Sequence, residues 1–198
     1  MKHNNHDYVD LGLPSGTLWA TCNVGASRPE EYGDYFAWGE TAPKDNYNLN
    51  TYKLATAAYE AWDFETLTKY NTDSNYCKTT LDPEDDAAAA NWGGKWRMPT
   101  DDEWTELREN CTWICVQYKN GYEVKSKTNG NSIFLPAAGY RDNDILFNAG
   151  NYGYYWSSSL RTGSPDYVWY MYFNSCNMHR DGSRRYYGQT VRPVCVND

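Results

Sequence analysis

Carboxylates, thiols and imidazoles are the groups in this 198-residue chain that could do chemistry, and their spacing decides which chemistry is open. Asp82-Pro-Glu-Asp-Asp86 puts four acids in five positions, a density that invites calcium. A hard cation wants about six oxygens or more, and the run shows too few. Asp82 before Pro83 also reads as an N-cap with proline at the first helical position, and acids in a first helical turn favour the amide ends. The helix-start reading takes the run, with Ala87 to Ala90 inside the helix and Gly93 ending it. Six cysteines stand at positions 22, 77, 111, 115, 176 and 195, with no Cys-x-x-Cys and no Cys/His cluster that suggests zinc. Buried thiols and one or two disulfides both fit them. No Gly-rich phosphate loop and no nucleophile elbow is present. The expectation is a chain that is not an enzyme, with no catalytic residue, metal or cofactor.

Binding chemistry is better represented. After Glu123 there is no Glu and after Lys127 no Lys, and residues 151–198 hold five Arg against three Asp, a balance of +2 within a net charge of -8. The same stretch is rich in Tyr, Ser, Asn and Gly, the composition that interfaces and antibody-like paratopes favour. Trp169, Met171 and Phe173 alternate with Tyr170, Tyr172 and Asn174, the period of a half-buried strand. One set is expected to pack inward and the tyrosine set to face outward. Cys176 to Tyr187 has no hydrophobic period and reads as an irregular exposed segment between Phe173 and Val191-Arg-Pro-Val194. The candidate contact residues are Tyr152, Tyr154, Tyr170, Tyr172, Asn174, His179, Arg180, Asp181, Arg184, Tyr186 and Tyr187. Arg192, inside the anchor, is expected to make a structural hydrogen-bonded contact.

These residues need a frame, and its clearest element lies in Asn91-Trp-Gly-Gly-Lys-Trp-Arg-Met-Pro-Thr-Asp-Asp-Glu-Trp104. Gly93-Gly94 breaks the preceding element, Pro99 stops a short strand, and Thr100 with Glu103 has capping-box spacing. Trp104, Leu107 and Cys111 share one helical face. Tyr8–Leu13 and Leu18–Val24 flank the turn residues Pro14-Ser15-Gly16 and are expected to form the sheet that joins the termini. Tyr35 to Trp38 and Ser132 to Leu135 are further short strands, and Thr112–Tyr118 with Tyr122–Lys127 meet at Asn120-Gly121, a strong hairpin signal. The polar stretch from Thr41 to Lys78 carries weak helical spacing at Tyr59, Trp62 and Leu67.

Trp96-Arg-Met-Pro-Thr-x-x-Glu-Trp104 resembles the core signature of the Fibrobacter succinogenes major domain family. That family is similar to the formylglycine-generating sulfatase-modifying factors and to the variable proteins of diversity-generating retroelements. Tyr8 to Gly16, Trp19 to Gly25, Tyr35 to Glu40, Asp85 to Ala88, Ser132 to Arg141, Tyr155 to Ser158 and Val191 to Val194 carry the likeness over most of the chain. The resemblance implies an α+β, C-type-lectin-like fold: two helices packed on short, mostly antiparallel sheets, with much irregular loop. One domain spanning 1–198 is expected, with 1–7 a mobile tail and 150–190 the ligand-binding, variable region. The calcium-dependent sugar signatures of true C-type lectins, Glu-Pro-Asn or Gln-Pro-Asp with Trp-Asn-Asp, are absent.

For the sulfatase-modifying relatives the resemblance implies a pair of reactive cysteines near the C-terminal end, but Cys176 and Cys195 sit in contexts that do not match theirs. An iron-dependent branch needs a histidine cluster that His3, His6 and His179 do not supply. For the retroelement proteins it implies a fixed frame with diversified surface positions. The resulting expectation is an adhesin or receptor-binding domain for a protein or glycan on another cell, at a cell surface or on a virion such as a phage. The alternative is a structural or assembly module of a surface or virion protein. The acidic balance argues against nucleic-acid and anionic-membrane partners, and no apolar run is long enough to span a bilayer.

Overall fold

The computed structural model describes residues 1–56, 66–71 and 78–196. In chain order they form β1 (Lys2–His3), β2 (His6–Asp10), β3 (Thr17–Ala20), β4 (Tyr35–Phe36), α1 (Ala87–Trp92), α2 (Asp101–Asn110), β5 (Cys111–Val116), β6 (Gly121–Ser126) and β7 (Ser132–Pro136). Then follow β8 (Tyr140–Asp142), β9 (Ile145–Phe147), β10 (Gly153–Leu160), β11 (Tyr167–Phe173), β12 (Met178–Arg184), β13 (Gln189–Thr190) and β14 (Val194–Val196). The fold is α+β and mostly strand. The sheets run β1-β2-β3-β14, β12-β11-β10-β13-β4, β5-β6-β7 and β8-β9, and the pairings are antiparallel except β10 with β13. Tyr59 and Trp62 of the weak helical spacing lie outside the described residues.

Helix α2 begins where its sequence says it should. Thr100 Oγ1 accepts from the Glu103 N–H and Glu103 accepts from the Thr100 N–H at 2.8 Å, a complete capping box. Arg97 donates both ends of its guanidinium to the same carboxylate, at 2.7 and 2.6 Å, and the Thr17 hydroxyl adds a third donor at 2.9 Å. Burial pushes the Glu103 carboxyl up, but these charge-assisted bonds outweigh it and leave the group below its ordinary range. One side chain thereby joins the helix start, β3 and the strand-like Arg97, whose backbone pairs with Val194.

Helix α1 departs from the expected start. Its N-cap is Asp86 rather than Asp82, with Oδ1 accepting from Ala88 and Ala89 while Oδ2 accepts from Met98 N–H at 2.8 Å. Asp86 is buried and can satisfy three amides at once, which Asp82, four residues earlier and partly exposed, cannot. Gly93 closes the helix with φ of 63°, a conformation that favours glycine.

Residues 1–7 are not a loose tail. β1 and β2 form a hairpin whose His6 ring stacks on Trp92 at 3.7 Å, and Trp96 Nε1 donates to His3 O at 2.9 Å. Large aromatic faces on α1 and beside it give the segment something to bury against, which local composition could not reveal.

The five-stranded sheet lies between two apolar clusters. Trp156, Leu160, Val168 and Tyr170 belong to one, with Trp38, Trp92 and Trp96. Tyr155, Met171 and Phe173 belong to the other, with Trp19, Trp104, Leu107 and Cys111. Gly153 makes room for the second, since a Cβ there would lie 2.1 Å from the Phe173 ring. Arg192 is fully buried and donates to Asn23 Oδ1 and to the carbonyls of Ala20, Thr21 and Phe134. Its role is structural.

Candidate functional site

The β10–β11 register sets Tyr154 opposite Tyr172 and Trp156 opposite Tyr170, so these four side chains share one face of the sheet. On β12, His179 stands opposite Tyr172 and Asp181 opposite Tyr170, extending that face to the sheet edge. Tyr154 stacks on Tyr170 at 5.7 Å with 12° between planes and meets Tyr172 edge to face at 5.4 Å. Tyr152 lies 5.7 Å from Tyr172, and Tyr172 lies 4.7 Å from His179. On the other side Tyr140 bridges Tyr154 at 4.9 Å, Tyr187 at 5.4 Å and Phe147 at 5.5 Å, and Tyr186 meets Tyr187 at 4.8 Å. Nine rings are thus joined in one connected network.

The face is concave rather than a row of free rings. Tyr170 is buried at 9% exposure, a correction to its expected outward position, while Tyr152, Tyr154, Tyr172, Tyr186 and Tyr187 are half-buried. The cause is that β11 is an inner strand with an apolar cluster on each side, so neither set of alternating side chains is left free. Trp169, expected to pack inward, is half-exposed and held between the guanidiniums of Arg161 and Arg180, 5.3 and 4.8 Å from its ring.

Cys176 to Tyr187 also differs from expectation. Met178 to Arg184 pair residue for residue with Phe173 to Tyr167 as a regular edge strand. Edge strands carry polar residues on purpose, so the missing hydrophobic period did not mean missing structure. The strand's alternation sends Arg180 to the Met171 side, away from the tyrosines, where it is ion-paired with Asp101 in the first turn of α2. Asn174 spends its side chain locally, donating to the Tyr172 hydroxyl at 2.8 Å and accepting from Cys176 and Asn177 N–H at 2.9 Å each.

One hollow opens on this face and another beyond its Tyr152 end. The first, of about 270 Å³, is lined by Tyr140, Tyr154, Tyr167, Tyr170, Arg184 and Tyr187, with Ser183 and Gln189 beside them. The other, of about 720 Å³, includes Tyr152, Asn174, Tyr122, Cys115 and Cys176 in its walls. Burial pushes the Tyr154 phenol up to about 12 and raises those of Tyr140, Tyr170, Tyr172 and Tyr187. All are neutral near pH 7, each offering one O–H donor, acceptor lone pairs and an apolar face.

Sequence reasoning missed Tyr140, Phe147, Tyr167 and Gln189. A signal for the first two existed: Asn143-Asp144 closes the two-residue β8–β9 hairpin, with Asn143 at φ 54°.

Other groups do not converge. Asp82, Glu84 and Asp85 lie close enough to share a cation, and Lys69 Nζ already sits among them, ion-paired to all three. Cys176 is exposed in the turn after β11, whereas Cys195 is buried in β14 of another sheet. Among the described residues Cys22, Cys111, Cys115, Cys176 and Cys195 are free thiols.

A family model described as a domain of unknown function (DUF8237) matches residues 116–194, less than half of the chain. The match runs from the end of β5 to the start of β14 and so takes in the whole tyrosine face. No curated protein and no solved structure matches the chain.

Proposed function

We propose that this chain is a ligand-recognition domain of C-type-lectin-like fold, an adhesin or receptor-binding module that presents its tyrosine face to a protein or glycan on another cell. The observation that supports this most is the continuous ring network from Phe147 through Tyr140, Tyr154 and Tyr172 to His179, half-exposed above a doubly packed sheet. Aromatic anchors with fixed surroundings lose little freedom on binding, and interfaces draw most of their energy from a few such residues. The contact set is Tyr140, Tyr152, Tyr154, Tyr172, His179, Asp181, Arg184, Tyr186 and Tyr187, with Arg180 moved to the supporting frame.

The same reading makes the chain a variable protein of a diversity-generating retroelement, working outside the cell or on a virion, with residues 150–190 as its variable region. Polar side chains on an edge strand whose backbone is fixed by pairing can change without disturbing the core, which favours this assignment. A near-copy of the codons for this region beside a reverse transcriptase in the neighbouring DNA is the expected finding. Their absence removes the retroelement part and leaves the recognition part standing.

One observation favours an assembly module instead. Ile145, Leu146 and Phe147 at the β8–β9 hairpin are 53%, 36% and 37% exposed, next to the ring network. Sedimentation decides: a monomer whose Tyr172→Ala variant loses cell capture supports recognition, and a stable oligomer that the same variant dissociates supports assembly.

A further inference from the structure

The smaller hollow carries more hydrogen-bonding groups than an apolar ligand could use. Tyr140, Tyr154, Tyr167, Tyr170 and Tyr187 contribute to its lining, Arg184 and Ser183 stand at one side, and no carboxylate takes part. Gln189 belongs to the same lining yet is 1% exposed. Its amide nitrogen donates to Ser183 Oγ at 2.8 Å, and its Oε1 is buried without a partner. A buried amide end left unpaired is destabilising, a cost that ligand contact can offset.

We propose that this hollow takes one neutral pyranose ring of a glycan, held without a metal ion, an inference that rests on the ligand-recognition reading and specifies its ligand. At about 270 Å³ the space suits a single ring rather than an extended ligand. The ring's C–H face packs on the Tyr154 and Tyr187 side, and its hydroxyls meet the phenols, Arg184 and the Gln189 amide. A hydroxyl both donates and accepts, so it satisfies the free end of Gln189 whichever way the amide is turned. A protein side chain with a single donor, such as an indole, leaves most of these groups unpaired, and a free cation is opposed by Arg184. Because Gln189 Oε1 is shielded from water, a small shift of Ser183 accompanies its engagement.

The test is a heteronuclear NMR titration of the full chain, in EDTA, with methyl glycosides of glucose, galactose and mannose and with N-acetylglucosamine. At least one is expected to give saturable millimolar binding with shifts at Tyr154, Gln189 and Tyr187. Gln189→Leu should weaken it tenfold or more. Ser183→Ala, which also takes away the partner of the buried Gln189 amide nitrogen, should weaken it several-fold while lowering the melting temperature by only a few degrees. Absence of saturable shifts with every sugar overturns the proposal, as does binding that EDTA abolishes or that neither variant weakens. Loss of cell capture in Tyr172→Ala with no sugar bound would overturn the sugar assignment alone. Sugar binding with cell capture unchanged in that variant would keep the assignment and overturn the recognition role.

Discussion

Tyr172 stands opposite Tyr154 across the β10–β11 pair, its ring 5.4 Å away edge to face and its hydroxyl accepting from Asn174 at 2.8 Å. Tyr170, two residues earlier on the same face, sinks into the core beside Trp156. Their alanine variants should therefore separate. Tyr170→Ala is expected to cost about 3 kcal/mol of stability, and Tyr172→Ala about 1 kcal/mol. Chemical denaturation of both checks the ranking, and equal losses would contradict it.

Arg180 and Asp101 tie the sheet edge to the first turn of α2. Arg180 is 44% exposed at its side chain, so screening keeps the pair's worth small, with an expected double-mutant coupling of about 0.5–1 kcal/mol. Arg180→Ala should leave ligand capture intact, since its guanidinium faces the helix side. A variant that folds normally but loses capture would return Arg180 to the contact surface.

Glu103 gives the fold an acid limit. Its carboxyl is held below the ordinary range in the folded state, so its contribution is present above the unfolded value of about 4.3 and is lost as pH falls through the lower folded value. Glu103→Gln is expected to cost about 2 kcal/mol near pH 7 and to flatten the stability profile between pH 5 and pH 3, roughly. Urea melts across that range read both effects.

How far this frame was readable depends on whether the signal was local. The capping box of Thr100 and Glu103 and the Trp104/Leu107/Cys111 face appear where short-range spacing placed them, whereas the β5–β6 hairpin turns through Gln117 to Asn120, with Gly121 already paired opposite Val116 rather than in the turn. The start of α1 slid to Asp86 because Met98, twelve residues on, supplies a third amide that no local rule includes. β12 was hidden because an edge strand owes its order to backbone pairing with β11 rather than to apolar side chains. Within the candidate site, composition drew attention to the tyrosines of β10 and β11, but not to their depth. Depth is set by which apolar cluster covers each side of the sheet, a property of the whole fold. Tyr140 came from β8, outside the stretch whose composition drew attention, and Gln189, inside that stretch, is a lone amide on the two-residue strand β13 that no tyrosine pattern marks.

Alkaline titration reports on tyrosine burial, the face contributing together with the core phenols of Tyr35, Tyr47, Tyr70 and Tyr155, which burial also raises. Burial lifts Tyr154 to about 12 and raises Tyr170 and Tyr187. Groups raised in the folded state stabilise it fully below the unfolded value of about 10 and lose that contribution as pH rises through the folded one. Tyrosinate absorbance should show a late fraction whose appearance coincides with unfolding by circular dichroism. Ionisation of every tyrosine near pH 10 with the fold intact would mean that the face is open to water.

Immobilised protein presented to a panel of bacterial and animal cells, with wild type beside a Tyr152→Ala/Tyr172→Ala variant and melting curves for both, bears on the recognition role most directly. Wild type should hold at least one cell type, and the variant should lose that capture tenfold or more while its melting temperature falls by only a few degrees. Undiminished capture by the folded variant would show that the tyrosine face is not what meets the ligand.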